Sequence, residues 1–173
     1  MSCKDYLAKK NKHIRDKNVI FDEKKHIYTI KRSKSEYISV TTLVKKLFPE
    51  FDADAVISCL LKNNKKYIGK NAEIIKKEWE ENGIKASQAG TKLHNNIELY
   101  SNGCKVEDDS KEFKHFLKFL EDHPELEPYR TEWMVYDNDY KIAGSIDMVY
   151  KNIIYPQKIL LNLVIVKMIY WKD

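Results

Sequence analysis

The sequence has few of the residues that break or cross-link a chain, with three cysteines, five glycines and four prolines among 173 residues. It contains no internal repeat and no low-complexity tract. Cys3, Cys59 and Cys104 are scattered and odd in number, which predicts free thiols in a reducing compartment. Three thiolates also fall short of the four that an iron–sulfur cluster usually takes, so no such cluster is expected.

Long apolar segments are also lacking. No stretch reaches the ~18 uncharged apolar residues that a membrane helix needs. The charged start, MSCKDYLAKKNKHIRDK, has no apolar core of a secretory signal. These absences predict a soluble intracellular protein without a membrane partner, in the cytoplasm, nucleus or mitochondrion.

The residues that are abundant indicate a globular domain. Hydrophobic residues make up 43% and charged residues 33%, and the length suits one domain. The net charge of +5 comes mainly from lysine. This charge permits a polyanionic partner, but a lysine-rich solvent-facing surface explains it equally well.

The order of predicted elements indicates a mixed α/β (α+β) fold with helices packed on a sheet. Residues 1–17 look like a frayed basic arm, residues 18–173 like a single domain, and residues 152–173 like an atypical tail. The predicted strands are 19–21, 26–30, 37–40, 129–136 and 141–150, with polar turns at 22–25 and 137–139. The predicted helices are 41–47, capped by Thr41 or Thr42, and 53–61, 72–81, 87–100 and 111–122, the last capped by Ser110.

Three groups of residues are candidates for chemistry. On a helix, His94 and Glu98 share a face, and Gly90 lies one turn before His94, where a backbone or a phosphate could approach. Taken alone, the pair fits a surface ion pair better than a site. Glu132 interrupts an apolar strand, and taken alone an exposed sheet edge explains it better than a functional role.

The segment from Ile142 to Tyr150 carries the sharpest signal, because Asp147 interrupts an apolar strand. A buried carboxylate needs a cation, a metal or several donors, and Gly144 is expected to leave room beside it. A hard oxygen ligand near a histidine suits Mg²⁺ or Mn²⁺.

Three elements of the sequence resemble, in order and spacing, the motifs of RecB-like and Cas4-like nucleases of the PD-(D/E)XK superfamily. They are Gly90-x-x-x-His94, Glu132 and Gly144-Ser145-Ile146-Asp147. The segment Ser39-Val40-Thr41-Thr42 looks like the one before the first helix in relatives of the mitochondrial genome maintenance exonuclease. The match covers roughly residues 25–151. It implies a restriction-endonuclease-like core, a mixed sheet flanked by helices that is incomplete at its C-terminal end.

The resemblance also implies roles for individual residues. His94 and Asp147 would bind Mg²⁺ or Mn²⁺, and Glu132 would be a supporting catalytic acid, with Gly90, Glu98 and Gly144 shaping the site. The expected substrate is DNA that is single-stranded or has free ends. The residues expected to contact it are Thr41, Thr42 and Lys92. The oligomeric state is left open.

The family pattern breaks after Asp147, where an Asp/Glu-x-Lys strand should follow. Tyr170-Trp171-Lys172 mimics it with a phenol in place of the acid, which makes Lys172 a weak catalytic candidate. Apart from Asp173, the segment from Asn152 onwards has no acid, which favours a disrupted reading frame or truncation over a divergent strand. Three functions therefore stay open, namely an active nuclease, an inactive nuclease-like nucleic-acid-binding module or fragment, and a plain α/β scaffold.

Overall fold

The computed structural model describes residues 3–152, and Lys172 and the other residues of the Tyr-Trp-Lys motif lie outside this range. The described part is mixed α/β, with five α-helices and five strands. In chain order they are α1 (Tyr6–Lys10), β1 (Val19–Asp22), β2 (Ile27–Ile30), β3 (Ile38–Ser39), α2 (Val40–Leu47), α3 (Ala53–Asn63), α4 (Ala72–Ser101), α5 (Lys111–Asp122), β4 (Leu126–Asp137) and β5 (Ile142–Asn152). No helix within residues 3–152 is long and apolar enough to cross a lipid bilayer.

The strands form two small sheets. The β1–β2 hairpin is antiparallel, as predicted from the apolar residues that flank its polar turn. In the second sheet β5 lies in the middle, parallel to β3 and antiparallel to β4, so among residues 3–152 β4 lies at an edge of this sheet. A buried cluster joins residues of the hairpin and of the second sheet, namely Val19, Tyr28, Ile30, Tyr37 and Ala143.

The described part of the chain divides into two compact units, one formed by the residues before Val44 and after Lys92 and the other by residues 44–92. In the second unit Ile57 and Ile75 are fully buried, and Lys76 on α4 pairs with Asp54 on α3 at 2.6 Å. In the first unit Leu93 packs with Phe113 and Phe116 of α5. Phe113 and Phe116 are thus on the buried face of α5, and Ser110 caps that helix as predicted.

The N-terminal residues are packed and not frayed. Leu7 is buried, and its N–H donates to Asn102 Oδ1 at 2.9 Å. Arg130 of β4 donates to the carbonyl of Asn11 at 2.8 Å and pairs with Asp16 at 2.8 Å. The prediction of a frayed arm was wrong because it weighed the charges of this segment and missed its one buried leucine and its specific partners.

The prediction of three free thiols was also wrong. Cys3 and Cys104 form a disulfide, with their Cα atoms 5.8 Å apart, whereas Cys59 is free and exposed. The pairing joins residues 101 positions apart in sequence, because the docked N-terminal segment places Cys3 beside the end of α4. The cysteine pattern therefore no longer supports a reducing compartment.

Two details at helix ends also differ from the sequence predictions. The helices predicted at 72–81 and 87–100 are one continuous helix of 30 residues. At the start of α2 the capping side chain belongs to Ser39, whose hydroxyl accepts from the N–H of Thr42 at 3.1 Å. The predicted caps, Thr41 and Thr42, instead exchange side-chain hydrogen bonds with Ser39.

Candidate functional site

The structure brings His94 and Asp147 together. His94 lies on α4 and Asp147 on β5, and the His94 Nδ1 atom is 3.6 Å from Asp147 Oδ2. This distance is too long for a hydrogen bond, but it places the imidazole and the carboxylate within ion-pair range of each other. The side chains stay 53% and 61% exposed, so a ligand could reach both from solvent.

Glu132 is the third member of this cluster. It lies on β4 opposite Asp147, between the cross-strand pairs Thr131–Met148 and Trp133–Ile146. Its backbone has a φ of 44°, in the left-handed region that few residues with a side chain adopt. Ser145 of β5 donates a hydrogen bond to Glu132 Oε2 at 3.3 Å.

The surroundings of Glu132 change its acidity, although the residue itself keeps contact with solvent. Partial desolvation of the carboxyl raises the pKa of Glu132, and the negative charges of Asp147 and Glu98 raise this pKa further. The hydrogen bond from Ser145 and the His94 imidazole act in the opposite direction on the same pKa. The cluster thus concentrates more negative charge than its one imidazole can balance.

Glu98 lies one turn after His94 on α4 and has its own cation. Lys4 Nζ is 3.0 Å from Glu98 Oε2 and 2.7 Å from Asn95 Oδ1. The disulfide of the neighbouring Cys3 ties Lys4 to this place. Sequence reasoning missed Lys4, because nothing in a lysine 94 positions away signals a contact to Glu98.

The predicted burial of Asp147 was wrong. Ala143, Gly144 and residues 148–150 of β5 are buried, but Ser145 and Asp147 are exposed, so the strand is uncovered where the cluster lies. The room expected at Gly144 is also absent. A Cβ added to Gly144 would lie 3.1 Å from Val40 Cγ2, so this glycine allows α2 to approach β5 closely.

The remaining described candidates are on α2 and on α4. Thr41 and Thr42 are at the start of α2, where they bond with Ser39. Gly90 and Lys92 are on α4 in the unit of residues 44–92. No role was predicted for Ser145 from the sequence, although its position two residues before Asp147 predicts that both side chains share one face of the strand.

The donors present suit a divalent cation in kind. Imidazole nitrogen and carboxylate oxygen both bind Mn²⁺, and carboxylates suit Mg²⁺. Among residues 3–152, no three His, Cys, Asp or Glu side chains are arranged as a group that could hold a metal. His94 and Asp147 therefore supply two donors, and further coordination would have to come from water, substrate or a movement of Glu132.

Comparison of the chain with family models, with curated proteins and with solved structures finds no match. Any assignment of function therefore depends on the chemistry of the cluster itself.

Proposed function

We propose that the chain is a nuclease domain of the PD-(D/E)XK type that hydrolyses phosphodiester bonds of DNA with the help of Mg²⁺ or Mn²⁺. The observation that carries the proposal is the 3.6 Å approach of His94 to Asp147, two residues from distant parts of the sequence. The mixed sheet and the flanking α4 fit a restriction-endonuclease-like core of the RecB-like and Cas4-like branch.

In this proposal His94 and Asp147 bind the cation, which activates water and neutralises charge on the phosphate. Two protein donors are enough in principle, because Mg²⁺ usually keeps several waters and shares its remaining positions with substrate phosphates. The open position of both side chains leaves a DNA phosphate free to approach.

Glu132 has the supporting role. Its carboxylate lies opposite Asp147, and Ser145 holds one of its oxygens. A carboxylate there can accept the proton of an attacking water, which is the task of a general base. Lys172 would position the same water if the family role extends to it.

A second candidate is a nuclease-like module that binds nucleic acid without cutting it. Two observations favour it. Tyr170 stands where the family has an acid before Lys172, and no complete three-ligand group exists among the described residues. Such a module would bind DNA in a salt-sensitive way and show no turnover.

The decisive experiment measures degradation of end-labelled single-stranded and duplex DNA after removal of metal with EDTA and addition of Mn²⁺ or Mg²⁺. We expect cleavage only with the metal, and a loss of about 100-fold or more in His94→Ala and Asp147→Asn. His115→Ala and Asp139→Asn are matched controls, since both residues are exposed and apart from the cluster in sequence. Cleavage that persists in EDTA or in Asp147→Asn would defeat the proposal, and DNA binding without any cleavage would favour the second candidate.

A further inference from the structure

The loop between α3 and α4, residues 64–71, is a basic segment that takes no part in the cluster. No acidic residue occurs from Ala55 to Ala72. The same stretch holds four lysines, Lys62, Lys65, Lys66 and Lys70. Lysines are usually interspersed with acids on a surface, so a run of sequence with cations of one sign favours contact with a polyanion.

An aromatic ring lies among these cations. Lys66 Nζ is 5.8 Å and Lys70 Nζ is 5.6 Å from the centre of the Tyr67 ring. Tyr67 is half-buried, and its neighbour Ile68 is 60% exposed. The loop thus combines a partly exposed aromatic ring with two ammonium groups that lie over it at cation–π distance.

The loop has a defined backbone that holds this arrangement. The Asn64 carbonyl accepts a hydrogen bond from the Tyr67 N–H at 2.9 Å. The Asn64 side-chain oxygen accepts a second one from the Lys66 N–H at 3.0 Å. Gly69 takes a φ of 80°, a conformation that glycine adopts without strain. The Lys70 N–H then returns to the carbonyl of Tyr67 at 3.0 Å.

We propose that this loop binds single-stranded nucleic acid, with a base stacked on Tyr67 and the flanking phosphates paired with Lys65, Lys66 and Lys70. Single strands expose the faces of their bases, and stacking on an aromatic side chain between cations is the usual way in which proteins hold them. Lys70 also pairs with Glu78 at 3.4 Å, but an exposed ion pair of this kind is weak and is easily exchanged for a phosphate.

This inference goes beyond the proposed function, because it assigns a binding surface to a loop that the cluster does not include, and binding by the loop needs neither metal nor cleavage. The two proposals are therefore tested separately. Binding is measured in EDTA by the fluorescence anisotropy of a labelled oligothymidylate, against a duplex of equal length and against vesicles that contain phosphatidylserine.

The lysines are tested by the double variant Lys65→Ala/Lys66→Ala. Its matched control is Lys24→Ala/Lys25→Ala, which removes the same charge from the β1–β2 turn beside Asp22 and Glu23. For single strands the slope of log K against log salt falls by about 0.7 for each phosphate that the protein no longer neutralises. We expect a fall of about 1.4 in the first variant and little change in the control.

The ring is tested by Tyr67→Ala and Tyr67→Phe. Loss of stacking should weaken binding of the oligothymidylate by about 5- to 100-fold in Tyr67→Ala. Phenylalanine should preserve binding, which also shows that the half-buried position tolerates substitution. Circular dichroism and thermal unfolding of each variant establish that it is folded.

Three results would overturn this inference. Equal weakening by both lysine double variants would mean that only net charge matters. Tighter binding to the duplex, or binding to the vesicles alone, would assign the loop to another polyanion. If oligothymidylate binds as expected but is never cleaved with Mn²⁺, the inference about the loop stands and the proposed catalysis fails.

Discussion

Glu132 and Asp147 lie opposite each other on adjacent antiparallel strands, between the pairs Thr131–Met148 and Trp133–Ile146. Like charges in such cross-strand positions destabilise a sheet. Glu132 also holds a φ of 44°, and a left-handed residue with a side chain costs about 1–3 kcal/mol. A residue that is unfavourable for stability in two ways fits a position selected for binding or catalysis.

Replacement of Glu132 by glutamine should therefore stabilise the metal-free protein. Removing the repulsion from Asp147 and Glu98 should raise the free energy of unfolding by about 0.2–1 kcal/mol. The same variant should gain less stability from added Mn²⁺, because it has lost a neighbouring carboxylate. Urea unfolding with EDTA and with MnCl₂ measures both effects.

Glu127→Gln is the matched control on the same strand. The Glu127 carboxylate is 3.0 Å from Lys151 Nζ and 3.8 Å from Lys10 Nζ, so its removal should leave stability unchanged or slightly lower. If Glu132→Gln is instead as neutral or as destabilising as Glu127→Gln, repulsion at the cluster does not limit stability.

The ion pair between Asp16 and Arg130 should make stability depend on pH in the acid range. Burial by itself would raise the pKa of Asp16, but hydrogen bonds from Arg130, from the His13 N–H and from Trp133 hold this pKa below its ordinary value of 3.8. A carboxyl whose pKa is lowered by folding stabilises the folded state above its unfolded pKa, and this contribution is lost as the pH falls through the folded pKa.

We therefore expect Asp16→Asn to lower the free energy of unfolding at pH 7 by about 1–3 kcal/mol, since it leaves the nearly buried Arg130 without its anion. The difference from the wild type should shrink below about pH 4 and vanish when the wild-type carboxyl is protonated. Urea midpoints of both proteins between pH 7 and pH 2 provide the measurement.

The control is Asp109→Asn, which replaces an exposed carboxylate. A difference that is constant with pH would show that the loss is one of packing and not of charge.

Much of the fold could be predicted because its signals are local. The β1–β2 hairpin follows from two apolar strands around Asp22–Lys25, and α5 follows from Ser110 and the spacing of Phe113 and Phe116. The approach of His94 to Asp147 could also be anticipated, but through the resemblance of motif order to a family and not through periodicity. The spacing of residues alone could not have placed α4 beside β5.

The errors have a common physical origin in long-range contacts. The disulfide and the contact of Lys4 with Glu98 depend on how the N-terminal segment docks, which no short window of sequence specifies. The exposure of Asp147 depends on what covers β5. The continuity of α4 was missed for another reason. Gly83 lowers the stability of the helix by only about 1 kcal/mol relative to alanine, so it does not end the helix.

The cap of α2 offers a local test of one correction. Ser39 accepts the N–H of Thr42 through its hydroxyl, so Ser39→Ala should lower stability by about 0.5–2 kcal/mol. Thr41→Ala removes only a hydroxyl contact and should cost less. Thermal unfolding of the two variants decides between the caps, and a larger effect of Thr41→Ala would restore the threonine as the cap.

The disulfide should contribute strongly to stability, because it closes a loop that spans most of the described chain. Cys3 and Cys104 are 101 positions apart, and a cross-link over such a loop restricts the unfolded chain by up to about 4–5 kcal/mol in the entropic account. We expect Cys3→Ser/Cys104→Ser to lower the free energy of unfolding by about 2–4 kcal/mol. A dithiol reductant should have the same effect on the wild type and none on the double variant.

The control is Cys59→Ser, which replaces a free and exposed thiol and should leave the free energy of unfolding unchanged. Mass spectrometry of the intact chain with and without alkylation counts the free thiols directly, and three alkylated cysteines in protein purified without reductant would contradict the cross-link.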